Sequence, residues 1–178
     1  EAGQHVNLSV TIDDVVHTRS YSFSNAPTAD GLVRLTIKQT PTGLVSRFAV
    51  NQLEVGTIVE LGDVFGDMTL ANTQPDLTAQ RPTMLLLAAG SGITPMISLI
   101  ETLEAQGWPA DVTLMSWARN PEDVLFDAAL KAKTNEQREI TTASVINCPK
   151  ICVLLAPETF LIPTSRILVS ALATDILV

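Results

Sequence analysis

Hydrophobic residues recur with two different periods along this chain, and the change of period divides it. Near the start Val6, Leu8 and Val10 alternate with polar neighbours, Asp13-Asp14 interrupts, and Val15 to Phe23 resumes an extended pattern. The pair reads as two strands joined by a turn. Ser24 to Gly31 is a loop of Ser, Asn, Pro, Asp and Gly, after which Val33, Leu35 and Ile37 alternate again. Pro41-Thr42-Gly43 breaks that run, and Leu44 to Leu53 predicts a short helix with Ser46 in its first turn. A further strand is predicted over Thr57 to Leu61, followed by the glycine-rich Gly62 to Gly66. Short strands separated by turns predict a small antiparallel β-barrel.

The second half has a longer period. After the polar, proline-bearing stretch Asn72 to Pro82, Leu85-Leu86-Leu87-Ala88-Ala89 is an unbroken apolar run ending in Gly90-Ser91-Gly92. From there Ile93, Met96, Ile97, Ile100 and Leu103 fall on one helical face, with Thr94-Pro95 in the opening turn. Gly107-Trp108-Pro109 stops that helix. Val112 to Trp117 is a second apolar strand, and Pro121-Glu122-Asp123 opens a second helical pattern through Leu130. Strand, helix, strand, helix predicts a parallel α/β layer. The expected architecture is therefore α+β in two domains, a β-barrel over 1–81 and an α/β domain over 82–178, with the boundary near Arg81. Beyond Leu130 the pattern fades, although Ile167 to Val169 and Ile176 to Val178 retain strand or helix character.

Composition narrows the function. The 178 residues are 46% hydrophobic with a mean hydropathy of +0.28, enough to fill a core. A net charge of -8 and a pI of 4.6 exclude nucleic acid as a partner, because no basic stripe can displace counterions from phosphates. Any anionic ligand must be gripped locally. The two cysteines, Cys148 and Cys152, have neither the number nor the spacing of a cluster, zinc or redox motif and read as ordinary thiols of a cytoplasmic protein. No signal-peptide pattern precedes the first strand, and no apolar run is long enough to span a bilayer. The chain begins without methionine and inside a strand pattern, as a piece of something longer would.

Three stretches carry chemistry. In Arg19-Ser20-Tyr21-Ser22 the period of a strand places Arg19 and Tyr21 on one face. A planar fork donor beside an aromatic plate fits a ligand with both phosphate and a flat ring; the alternative is a surface ion pair beside a rim aromatic. Gly43-Leu44-Val45-Ser46, at a helix start, is a second phosphate-sized site. Gly90-Ser91-Gly92, then Thr94-Pro95, open another helix whose free N–H groups favour an anion, and whose glycines admit close approach; a plain packing turn is the alternative.

In this order and spacing the three stretches resemble the ferredoxin–NADP reductase family of flavoproteins. Gly3-Gln4-His5-Val6 corresponds to an early barrel strand, Arg19 to Ser22 to the flavin motif, and Gly43 to Ser46 to the flavin phosphate loop. Gly66 matches the barrel's end, and Ala88 to Met96 matches the pyridine-nucleotide loop. The resemblance, over Glu1 to Leu130, implies an NAD(P)H-dependent flavoprotein reductase that passes electrons to a ferredoxin, oxygenase or desaturase partner. It implies that Arg19 contacts the flavin phosphates, Tyr21 lies against the isoalloxazine ring and Ser22 sits near N5. Ser46 and the amides around Gly43 would take the diphosphate, and Gly90, Ser91, Gly92 and Thr94 would line the path of NADPH or NADH, with Pro95 starting the helix. FAD is favoured over FMN because the Arg-x-Tyr-Ser run and the separate loop suit a long diphosphate ligand. Arg119, past the second strand, is read either as a ligand for a 2′-phosphate or as a surface charge at a helix start. No side-chain acid or base is required, since the cofactors carry the reaction. An alternative implied by the same scaffold is a flavin- or nucleotide-binding module that does not turn over.

Three departures from the family stand out. Strands expected before Gly3-Gln4-His5-Val6 are missing, Thr42 replaces the first glycine of a Gly-Gly pair, and the Cys-Gly-Pro motif is not found. Ile151 to Phe160 has only its flavour, with Leu155 and Ala156 in place of the cysteine and glycine.

Overall fold

The computed structural model describes residues 1–72, 82–136, 140–146 and 166–170. The expected boundary near Arg81, both cysteines, the segment Ile151 to Phe160 and Ile176 to Val178 lie outside the described residues.

Two sheets are present, antiparallel and parallel as expected. In the first, β1 (His5–Ile12) is central, between β2 (Val15–Ser22) and β3 (Glu60–Phe65). β1 and β2 form a hairpin whose register runs unbroken from His5 opposite Ser22 to Ile12 opposite Val15. Its two-residue turn has Asp13 and Asp14 both at positive φ, 50° and 62°. That geometry matches the right-handed twist of the strands, and aspartate tolerates it better than most residues. Val6, Leu8 and Val10 are buried, as their alternation requires.

Three expectations need correction here. Val33, Leu35 and Ile37 do not form a regular strand: Leu35 makes a single antiparallel bridge to Phe23. Apart from the Ser24 amide on the Arg34 carbonyl at 2.8 Å, side chains take the place of the ladder. The Arg34 amide donates to Asn25 Oδ1 at 2.7 Å, Asn25 Nδ2 donates to the Leu32 carbonyl at 3.1 Å, and Ser24 Oγ donates to the Arg34 carbonyl at 3.0 Å. Leu35 and Ile37 nevertheless pack on Leu8, Val10 and Val45. β3 lies later than Thr57 to Leu61, because a turn at Gly56 (φ 92°), closed by the Thr57 amide on the Glu54 carbonyl, occupies the start of that stretch. Gly62 consequently sits inside β3 rather than after it. Finally, the described strands form an open sheet rather than a closed barrel, with β3 exposed along its length. The short helix is α1 (Leu44–Asn51), within its expected span.

The second sheet is wholly parallel in the order β6-β5-β4-β7. β4 (Thr83–Ala89) and β5 (Asp111–Ala118) are the two expected strands. β4 is flanked on both edges and apolar on both faces, with Leu86 at 0% exposure, which explains its continuous run of Leu and Ala. A one-turn 3-10 segment, Gly90–Gly92, leads into α2 (Ile93–Ala105). All of Ile93, Met96, Ile97, Ile100 and Leu103 are buried against this sheet's core. Gly107 (φ 77°) and Trp108 (φ 57°) end the helix, the Trp108 amide donating back to the Leu103 carbonyl at 2.8 Å.

The second helix starts later than Pro121. Residues Pro121–Asp123 make one 3-10 turn, Val124 is extended and Phe126 has φ 60°, so α3 spans Asp127–Glu136. Leu125 and Phe126 turn inward onto the core in the gap. β6 (Ile140–Ile146) had no counterpart in the sequence reading, and β7 (Arg166–Ser170) contains Ile167 to Val169. The chain after Leu130 thus supplies both outer strands of the sheet.

Replacing Leu86 by Ala should cost about 2–5 kcal/mol, since a leucine enclosed on every side leaves a cavity. Denaturant unfolding would measure it, and a loss below about 1 kcal/mol would contradict the burial of β4 on both faces.

Candidate cofactor-binding site

The register of the hairpin sets the first part of the site. Arg19 is opposite Leu8 and Tyr21 opposite Val6, and directly opposed residues share a face, so both lie on the side that carries the core of the sheet. Tyr21 is half-buried against the cluster of Leu8, Val10 and Val45. Burial raises its phenolic pKa, and the neighbouring Arg19 charge lowers it by a smaller amount. The Arg19 guanidinium is exposed at the edge, its Nη1 donating to the Thr18 carbonyl at 2.7 Å. Ser20 lies on the other face, donating to Asn7 Oδ1 at 2.7 Å, so its side chain is not brought together with Arg19 and Tyr21. Ser22 pairs with His5, whose ring meets Phe65 edge-on.

The start of α1 adjoins this face through Val45, which shares the cluster with Tyr21. Leu44 is exposed and Val45 is buried, so Val45 acts by packing. Gly43 is the cap, extended at φ −76° and ψ 109°, with no side-chain cap and no acidic residue in the first turn. Ser46 Oγ donates to the Gly43 carbonyl at 3.2 Å and accepts the Thr40 amide at 3.2 Å, with Thr40 Oγ1 at 3.3 Å. Thr40 is therefore part of the loop, a residue that spacing alone did not reveal because it lies outside the Gly43 to Ser46 run. A Cβ at Gly43 would sit 2.2 Å from Thr40 Oγ1 and 2.4 Å from Ser46 Oγ. The glycine is required by this close approach, and its own amide donates to the Thr40 carbonyl at 3.2 Å.

The third stretch lies on the parallel sheet. Chain order runs outward from β4 through β5 to β6 on one side, while β7 lies on the other, so the direction of winding reverses beside β4. Crevices at the carboxyl ends of strands at such a reversal hold ligands in open α/β sheets. Gly90, at φ 51°, leaves β4 at that end, and Gly92 caps α2 without a side-chain hydrogen bond or a first-turn acid. Thr94 Oγ1 donates to the Ser91 carbonyl at 2.9 Å and pins the turn, while Pro95 sits buried in the first turn where a missing N–H costs nothing. Arg119 is exposed just past β5, whose Trp117 pairs with Ala89, so it shares this end of the sheet with Gly90–Gly92. Nearby, Asp123 accepts from Lys38 Nζ at 2.6 Å and from Asn120 Nδ2 at 3.2 Å. Its pKa is held below the usual carboxylate value by the Lys38 hydrogen bond first, then by the Lys38 charge, with a smaller contribution from Arg119.

The structure thus unites Tyr21 with the α1 start on one sheet and Gly90 to Pro95 with Arg119 on the other. Residues 1–68 match the family model described as an oxidoreductase FAD-binding domain. An NADPH oxidoreductase of Mycobacterium tuberculosis is 35% identical over 135 residues, covering 74% of this chain and 34% of that protein. Residues 1–68 belong to the oxidoreductase FAD-binding domain family, and the chain is related to ferredoxin–NADP reductase-like flavoproteins. Another relative, the toluate 1,2-dioxygenase electron transfer component of Pseudomonas putida, is 34% identical over 130 residues, covering 73% of this chain and 36% of that one. The solved ferredoxin–NADP+ reductase of Neisseria gonorrhoeae, with bound FAD and NADP, superposes with a TM-score of 0.63 at 24% identity, over 82% of this chain and 56% of that one. The reductase-like chain spans about a third of the length of the curated relatives it matches. Among the described residues no helix is long and apolar enough to cross a membrane.

Two outcomes follow from this geometry. Gly43→Ala should destabilise the chain by about 1–3 kcal/mol, because Thr40 and Ser46 must give way, and unchanged denaturant stability would show that they do not pack over the glycine. Because the Asp123 carboxyl is held low, the Lys38–Asp123 pair contributes above the carboxyl's unfolded value and is lost as pH falls through the lower folded one. The difference in melting midpoint between the chain and Lys38→Met should be present at neutral pH and close below about pH 4.

Proposed function

We propose that the chain is the flavin- and nucleotide-binding part of an NAD(P)H-dependent reductase that passes electrons onward to a ferredoxin, oxygenase or desaturase partner. One observation carries this reading: a single chain presents two helix starts without acids or side-chain caps, one beside Tyr21 and the other at the winding reversal of a parallel sheet. Residues 1–81 are assigned to flavin and 82–178 to the nicotinamide nucleotide. The match to an FAD-binding family model favours FAD over FMN.

In this arrangement Arg19 and the amides at the start of α1 hold the flavin's phosphates, and the hydrogen bonds of Thr40 and Ser46 fix the shape of the loop that leads into the helix. Tyr21 backs the flat ring, its neutral phenol favoured by burial, and Ser22 stands beside the ring's reactive edge. Gly90 to Thr94 line the nucleotide's path, and Arg119 reads the adenosine end, where a guanidinium favours a 2′-phosphate. Bound together, the cofactors supply transfer of a hydride, two electrons and one proton, from reduced nicotinamide to flavin, oxidising the first and reducing the second. The protein's part is positioning, so no side chain is assigned a proton transfer.

The test is an anaerobic titration of the flavin-loaded chain with NADPH and then NADH, followed by visible absorbance. Bleaching by either nucleotide is expected, with NADPH better and its advantage reduced about tenfold in Arg119→Ala. Retention of flavin without bleaching would replace this reading by that of a binding module, and failure to take up flavin would remove it.

A further inference from the structure

The flavin strand and the nucleotide helix are joined by a short, partly buried set of hydrogen bonds that neither cofactor site uses. Residues 24–26 follow Tyr21 and Ser22 along the chain with only Phe23 between, and residues 98 and 101 lie on α2, within two turns of Thr94. Ser98, fully buried, donates from its Oγ to the Asn25 carbonyl at 2.6 Å. One turn on and on the same side of the helix, Glu101 Oε2 accepts the Ala26 amide at 3.2 Å. Glu101 Oε1 receives Arg34 Nη2 at 2.6 Å, and Arg34 reaches back through Nε to the Ser24 carbonyl at 2.9 Å. Ser24 is itself fully buried and shares a hydrogen bond with Thr36 at 2.7 Å.

We propose that Ser98 and Glu101 are positioning residues, clasping 24–26 to α2 so that the flavin strand and the nucleotide turn keep one fixed separation. The inference rests on the function proposed above. Its physical basis is rigidity. Each end of the clasp lies a few residues from a proposed cofactor contact, one along the chain and the other along a helix, so little slack separates them. Transfer between two bound cofactors depends steeply on their separation, and a shift of about 1 Å can cost up to a hundredfold in rate. The ion pair itself is half in solvent, with Arg34 and Glu101 side chains 51% and 26% exposed. An exposed pair contributes little to global stability. Losing it therefore leaves the fold standing while loosening the alignment.

The full chain carrying Glu101→Gln or Ser98→Ala tests this. Without cofactors, hydrogen exchange at the Ala26 amide should speed up in Glu101→Gln, while the melting midpoint moves little. With flavin bound, affinities for flavin and for NADPH should stay within about twofold, while the maximal rate of flavin reduction falls about tenfold or more. The KM for NADPH should not change, and the charge-transfer absorbance of stacked nicotinamide and flavin should weaken. An unaltered reduction rate despite faster Ala26 exchange would overturn the proposal, as would unaltered exchange. A loss of rate that merely tracks lost cofactor binding and a lowered midpoint would reduce the clasp to a structural contact. If the unsubstituted chain binds both cofactors yet transfers nothing between them, the proposed activity fails instead, and the clasp is judged on Ala26 exchange and the charge-transfer absorbance.

Discussion

The enclosure of β4 is the constraint on which the nucleotide half depends. Its backbone is paired on both edges, by β5 and β7, and its side chains are apolar on both faces. A strand so enclosed cannot slip by one residue without exchanging its faces, nor can it continue past the sheet. The chain must leave at the carboxyl end, and it does so through Gly90–Gly92 into a helix whose apolar face is buried beside the same strand. The turn at the start of α2, where the Ile93 amide donates to the Gly90 and Ser91 carbonyls, is therefore held in place by buried side chains such as Leu86 and Met96.

The antiparallel sheet works differently, because much less of it is enclosed. Its core is Leu8, Val10 and Val45 with partly buried residues around them, and β3 is exposed along its length. Order near Arg19 to Ser22 comes instead from specific contacts: the Asp13-Asp14 turn, the Asn25 and Ser24 side-chain bonds to residues 32–34, and the Thr40–Ser46 lock under Gly43. Such contacts define positions well while adding little net stability each. The connection through residues 24–26 lends this sheet some of the rigidity of α2.

Several features could be read directly from residue order because they depend on local chemistry. The hairpin and its turn, the buried run before Gly90, the helical face from Ile93 to Leu103 and the short helix after Gly43 follow from period and from turn residues. The misplaced elements share a different cause. The run 33–37 alternates like a strand, but beyond the Phe23–Leu35 bridge and the Ser24 amide on the Arg34 carbonyl its backbone is held by the side chains of Ser24 and Asn25. Pro121 opens a helical turn, but the inward packing of Leu125 and Phe126 breaks it until Asp127. β6 went unrecognised because Ile140 to Ile146 has neither strict alternation nor an unbroken apolar run; its partner, β5, is what defines it.

By itself the sequence determined the two periods, the family and the three motif stretches, since glycine, proline and hydrophobic spacing act within a few residues of one another. Only the tertiary structure decided that Ser20 faces away from Arg19 and Tyr21, that Thr40 belongs to the loop of Ser46, and that Arg119 shares a sheet end with Gly90–Gly92. Those relations are fixed by strand register, winding order and side-chain contacts between residues distant along the chain, and no local pattern encodes them.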